Sequence, residues 1–159
     1  STTAQLKDFV VDRFPLCGIN VAKSCNGATE VAPSGDRYRN TYTVSVTNVG
    51  AGTVHGVSFT EEAVLDGNHS CRLTAINGTP LANPKVLMQG VAEPLVASLA
   101  KDASATATVQ CDTIDNPFDN EVSANAYAAA PVQGQPLPLL LTADIVGTTP
   151  QCDPFQVLG

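Results

Sequence analysis

The chain has 159 residues, with 8 Lys plus Arg against 15 Asp plus Glu and a net charge of -7. That length fits one domain with a real core. The acidic balance speaks against a nucleic acid or an anionic membrane surface, because both are held by a basic face. The longest run free of charges, between Glu121 and Asp144, is broken by Pro131, Pro136 and Pro138, so no bilayer-spanning helix is expected from it.

At the start, Ser1-Thr2-Thr3 is compatible with a mature terminus left by a removed secretory leader, which would place the protein outside the cytoplasm. Ala4 to Phe14 reads two ways. Leu6, Phe9, Val10 and Phe14 mark one helical face, while Phe9 and Val11 also alternate against Val10 and Asp12 as in an extended segment, and Pro15 ends either one. Ile19, Val21 and Lys23 alternate with Asn20 and Ala22 in a short strand, and Cys25 to Asp36 reads as a loop. The clearest element follows. In Tyr38 to Gly50, Tyr42, Val44 and Val46 alternate with Thr41, Thr43, Ser45 and Thr47, a half-buried β-strand that Asn48-Val49-Gly50-Ala51-Gly52 turns back.

After that turn, Val57 and Phe59 alternate with Ser58 and Thr60 in a strand closing at Glu61-Glu62, and Cys71, Leu73 and Ala75 make a third. From Ile76 to Pro94 the prolines at 80, 84 and 94 and the glycines at 78 and 90 predict a loop with one edge strand at Val86 to Gln89. Two one-sided strands come next, with Ala103, Ala105, Ala107, Val109 and Cys111 in the first and Val122, Ala124, Ala126 and Ala128 in the second. Leu139, Leu141, Ala143 and Ile145 form a last strand beyond a linker at 128–138. Short strands between turn signals, without a convincing long helix, predict an all-β protein, an antiparallel β-sandwich or barrel.

Five cysteines without a Cys-x-x-Cys pair or a nearby His fit no zinc or haem spacing and suit an oxidising compartment. Their pairing is not legible from spacing. The sequons at Asn68 and Asn77 are compatible with a glycosylated secreted surface. His55 and His69 stand in no His-Glu-x-x-His arrangement and beside no Gly-x-Ser-x-Gly elbow. The absence of Trp, with three Tyr and five Phe, disfavours a sugar-stacking cleft between paired carboxylates. No enzyme and no cofactor are expected. Asp112, Asp115, Asp119 and Glu121 supply the hard oxygens that calcium requires, but they lack the spacing of an EF-hand and read more simply as an acidic inter-strand loop.

The stretches Ile19-Asn20-Val21-Ala22-Lys23, Tyr42-Thr43-Val44-Ser45-Val46-Thr47-Asn48-Val49-Gly50, Val57-Ser58-Phe59-Thr60-Glu61 and Asp119-Asn120-Glu121-Val122-Ser123-Ala124 resemble, in order and spacing, the immunoglobulin-like repeat of prokaryotic surface proteins known as domain of unknown function eleven. The resemblance covers roughly residues 19 to 130. It departs from the family's pattern in the long loop from Ile76 to Pro94 and at Glu62-Ala63-Val64, where the family more often has a short Leu-Pro turn. It implies an Ig-like β-sandwich over 19–130, an N-terminal extension over 1–18, and a C-terminal linker and extra strand over 131–159.

It also implies a bridge between Cys71 and Cys111, leaving Cys17, Cys25 and Cys152 near the tails, and a secreted role in adhesion or surface architecture. Domains of this kind in surface fibres further suggest an intramolecular isopeptide bond between Lys23 and Asn120 with Glu61 as the buried acid. The plainer alternative is a solvated Lys23 and an Asn120 that caps a turn. Two strand-like tails outside a complete sandwich point to a head-to-tail homo-oligomer built by strand exchange, with Leu139 to Ile145 as the first donor and Ala4 to Phe14 as the second. The other expectation is a monomeric adhesin or carbohydrate-binding module that uses the Ile76 to Pro94 loop.

Overall fold

In the computed structural model, the described residues are 18–62, 68–115 and 121–145, together with the backbone of 156–157. Every helix or strand among them is a β-strand. In chain order these are β1 (Ile19–Cys25), β2 (Glu30–Val31), β3 (Tyr38–Asn48), β4 (Val54–Glu61), β5 (His69–Ile76), β6 (Thr79–Val86), β7 (Ala92–Leu99), β8 (Ser104–Thr113), β9 (Val122–Tyr127), β10 (Leu140–Ile145) and β11 (Gln156–Val157). They form two sheets packed face to face. The first runs β11-β2-β3-β8-β5-β6, with β1 also paired to β3, and the second runs β10-β9-β4-β7. All pairings are antiparallel except the short β11–β2 contact.

The alternation read from the sequence sets which face is buried. Tyr42, Val44 and Val46 of β3, Ala105, Ala107 and Val109 of β8, and Val122, Ala124 and Ala126 of β9 all point into the space between the sheets. Phe59 from β4 and Leu73 from β5 complete that layer. Burying each large aliphatic or aromatic side chain there contributes roughly 1.5–3 kcal/mol. Leu141, Ala143 and Ile145 of β10 pack against the same core. The sandwich therefore takes up residues beyond 130, with Leu140–Ile145 as the fourth strand of the second sheet.

Asn48 explains why the Val-Thr-Asn-x-Gly run ends the central strand as it does. Its buried amide donates to the carbonyls of Gly52 (2.8 Å) and Leu99 (2.9 Å), and its Oδ1 accepts from Gly50 N–H (3.0 Å). One side chain thus ties β3, the turn after it and the end of β7 together.

The stretch from Ile76 to Pro94 differs from the expected loop with a strand at Val86 to Gln89. It holds all of β6 and the start of β7. Asn77 and Gly78, with φ of 49° and 79°, form the two-residue turn of a β5–β6 hairpin, a turn in which both central residues need positive φ. Pro80, Pro84 and Pro94 are accommodated because β6 and β7 are edge strands, where a missing N–H breaks no ladder bond. The expectations for Ala4 to Phe14, Glu62-Ala63-Val64 beyond Glu62, and Asp119-Asn120 fall outside the described residues.

Candidate functional site

The inward face of β1 begins with Ile19 and Val21 and continues, by the same alternation, with Lys23. Across the layer, the inward face of β4 runs Val57, Phe59 and then Glu61, which is 1% exposed. Lys23 and Glu61 therefore face each other between the sheets, and each senses the other's charge. Burial pushes the Lys23 ammonium below the usual lysine range, and the Glu61 carboxylate opposes that shift without cancelling it. Tyr42 of β3 donates its hydroxyl hydrogen to Glu61 Oε2 at 2.9 Å and stands 3.7 Å from Cys111 Sγ. Glu61 and Tyr42 thus form a polar link through an otherwise apolar core to the disulfide, with the Lys23 charge near enough to Glu61 to be felt.

Of the proposed isopeptide residues, Lys23 and Glu61 are thus brought together, while Asn120 lies outside the described residues. Among the described neighbours in sequence, Glu61 is in register with Val122, and Glu62 N–H donates to the Glu121 carbonyl at 2.8 Å. Chemically, a desolvated amine beside a buried carboxyl is a nucleophile with a proton acceptor at hand.

The expected bridge is present. Cys71 of β5 and Cys111 of β8 are directly paired across neighbouring strands and joined as a disulfide, both fully buried. Cys25 is also disulfide-bonded, with a partner outside the described residues. On the outer face of the same sheet, Asp112 accepts from Arg39 Nε (2.7 Å) and Nη2 (3.0 Å) and from Arg72 Nη2 (2.8 Å). Burial alone would raise its carboxyl, but the hydrogen bond and charge of Arg39, with those of Arg72, outweigh it and hold Asp112 below the ordinary aspartate range. Asp115 lies 3.4 Å from His69 Nε2. Of the four acids weighed for calcium, Asp112 is therefore engaged with two guanidinium groups of the chain itself, and Asp115 stands beside an imidazole. Asp119 is outside the described residues.

Of the two sequons, Asn68 is exposed, and Asn77 is exposed yet used: its Oδ1 accepts from Thr106 N–H (2.7 Å) and its Nδ2 donates to the Leu95 carbonyl (3.2 Å). A pair that sequence reasoning missed is Lys85 with Glu93, at 2.7 Å, where the β7 carboxylate is buried and the β6 ammonium reaches it from solvent. No local signal marks it, because the two residues lie in the stretch read as irregular. A cleft of about 340 Å³ is lined by Ser70, Cys71 and Arg72 of β5 and by Pro84 and Val86 of β6.

No family model and no curated protein matches the chain. No helix among the described residues is long and apolar enough to cross a membrane.

Proposed function

We propose that the chain is a non-enzymatic extracellular structural protein, a subunit of a surface filament whose copies join head to tail, related to the Ig-like repeat that its strand motifs resemble. The observation that carries this reading is the distribution of exposed apolar side chains over the two ends of the sandwich. At the end where β3 turns into β4 and β9 gives way to β10, Val49 is 57% exposed and Leu137 and Leu139 are each 70% exposed. At the opposite end, beyond Glu61 and near the start of β5, Val86 and Met88 are 69% and 65% exposed and Val91 is 44% exposed. Apolar surface at both ends of one unit is covered when copies stack end on end, and such a heterologous contact propagates instead of closing. The buried disulfide supports an oxidising, extracellular setting.

The same reading takes Lys23, Glu61 and Asn120 as a self-forming crosslink that would help a filament subunit bear tension. The Lys23 ammonium gives its proton to Glu61, the free amine forms a C–N bond to the Asn120 side-chain carbonyl carbon, and the amide nitrogen leaves as ammonia. Intact mass, after allowance for disulfides and glycans, is then one ammonia below the sequence mass. A mass equal to that of the sequence ends the crosslink.

Electron microscopy of native secreted material tests the assembly, with filaments expected and discrete monomers refuting it. The monomer outcome favours the second reading, an adhesin or carbohydrate-binding module, for which the cleft at Ser70, Arg72 and Pro84 is the contact surface.

A further inference from the structure

The outer strands β1, β6, β7 and β10 are not equally defended against pairing. Edge strands invite other strands unless prolines, bulges or charges blunt them. β6 carries Pro80, Pro84 and Lys85 and is thrown out of register at Leu73/Ala75. β7 carries Pro94 beside a register shift at Val57/Ser58. β1 packs across the layers against β9 and β10, a contact that β10 shares. β10 has none of the first two devices: its sequence LLTADI holds no proline, and its pairing with β9 runs unbroken from Leu140 to Ile145. Among the described residues nothing pairs with its outer side.

The direction of its backbone groups follows from the ladder. Ala128 N–H donates to the Leu139 carbonyl at 2.9 Å, so with the register of 127 to 140 the residues 139, 141, 143 and 145 address β9. Leu140, Thr142 and Asp144 then turn their N–H and C=O groups outward. Resting on the filament reading, we infer that this edge is the acceptor for a strand from a second copy, and that the donor is that copy's Ala4 to Phe14 segment. Leu140 to Ile145 acts as acceptor and not as donor, since it is already built into its own sheet.

The occupant is argued from where the chain leaves the sandwich. The Gly18 carbonyl accepts from Val49 N–H at 3.0 Å, so the segment before it departs from the same end at which β10 begins. Extended, Ala4 to Phe14 spans about 36 Å against about 20 Å for β10, enough to cover the whole edge. A donor that folds back onto its own β10 makes no contact between copies, whereas one that crosses to the next copy joins them through main-chain hydrogen bonds.

The test uses three forms of the full chain: wild type, Thr142→Pro, and the pair Val10→Pro with Val11→Pro. Proline at 142 removes an outward N–H without touching the β9 ladder, and two consecutive prolines in the donor remove whichever N–H faces the acceptor. Light scattering is expected to show polymers for wild type, monomers with a wild-type melting temperature for each variant, and a complex when the two variants are mixed, since one keeps the donor and the other the acceptor. In wild-type polymer, hydrogen exchange at the Leu140, Thr142 and Asp144 amides should slow at least tenfold relative to dilute monomer, a readout that needs no variant. Polymers that persist in Thr142→Pro, or unprotected amides at these three positions, overturn the acceptor assignment while leaving the filament reading standing. A wild-type chain that stays monomeric at high concentration overturns both.

Discussion

Replacing both Cys71 and Cys111 by Ala tests how far the disulfide holds the sandwich together. The bridge closes a loop with a sequence separation of 40. In the chain-entropy model, such a loop constrains the unfolded chain by about 4 kcal/mol, and removing two buried sulfurs adds about 1 kcal/mol of lost packing. For a domain of this size the combined loss lowers the melting temperature by about 10–15 °C. Two features make the test sharp. Cys71 and Cys111 are partners in the part of the β5–β8 ladder that runs in unbroken register from His69 to Leu73, so the pairing survives their loss and the native fold need not change. Moreover, an effect on the unfolded state leaves a signature in urea titrations, because a chain freed of its crosslink exposes more surface and the m-value rises. A double variant whose midpoint and m-value both match wild type within error would refute the reasoning. A large loss at constant m would move the effect from the unfolded chain to the folded core.

Asn48→Ala strands a buried N–H and two carbonyls and is expected to cost about 2–4 kcal/mol in denaturant titration, whereas Asn20→Ala on exposed β1 backbone should cost little. Because the folded-state pKa of Asp112 lies below its unfolded value, its contribution to stability is complete above the aspartate range and is lost as pH falls through the folded value. Melting temperatures measured between neutral pH and about pH 2 should therefore fall less steeply for Asp112→Asn than for wild type. Lys85→Met leaves the Glu93 carboxylate buried without its cation and should lose about 1–3 kcal/mol, most of it recovered by adding Glu93→Gln in a double-mutant cycle.

The strands that face one layer of the core were legible because period-two alternation leaves a mark wherever one face is dry. Tyr42 to Val46, Ala105 to Cys111 and Val122 to Ala126 are the examples, and all of them are buried on the expected side. The β6 strand left no such mark. Seven of its eight residues are exposed or nearly so, so no selection for an apolar face acts on it, and its prolines mimic a loop. What it did carry was Asn77-Gly78, a dipeptide whose tolerance of positive φ is a hairpin signal in its own right. Weighing prolines as breakers everywhere, and not as edge markers, hid that signal.

Lys23 shows how the same alternation reaches past fold to chemistry. On a strand whose odd residues are Ile19 and Val21, the parity rule alone turns the lysine inward, and the parity of Phe59 does the same for Glu61. The sequence therefore contained both orientations; what it lacked was the pairing of β1 with β3 and of β4 with β9 that sets the two residues across from each other. The disposition of β10 turned on the same missing information. An apolar strand following a complete set of seven looks surplus when strands are counted along the chain, yet β9 without it would have been an edge whose Val122, Ala124 and Ala126 were covered from one side only. Filling that side in cis displaces the question of assembly one strand outward, to backbone groups at Leu140, Thr142 and Asp144 that side-chain patterns do not reveal.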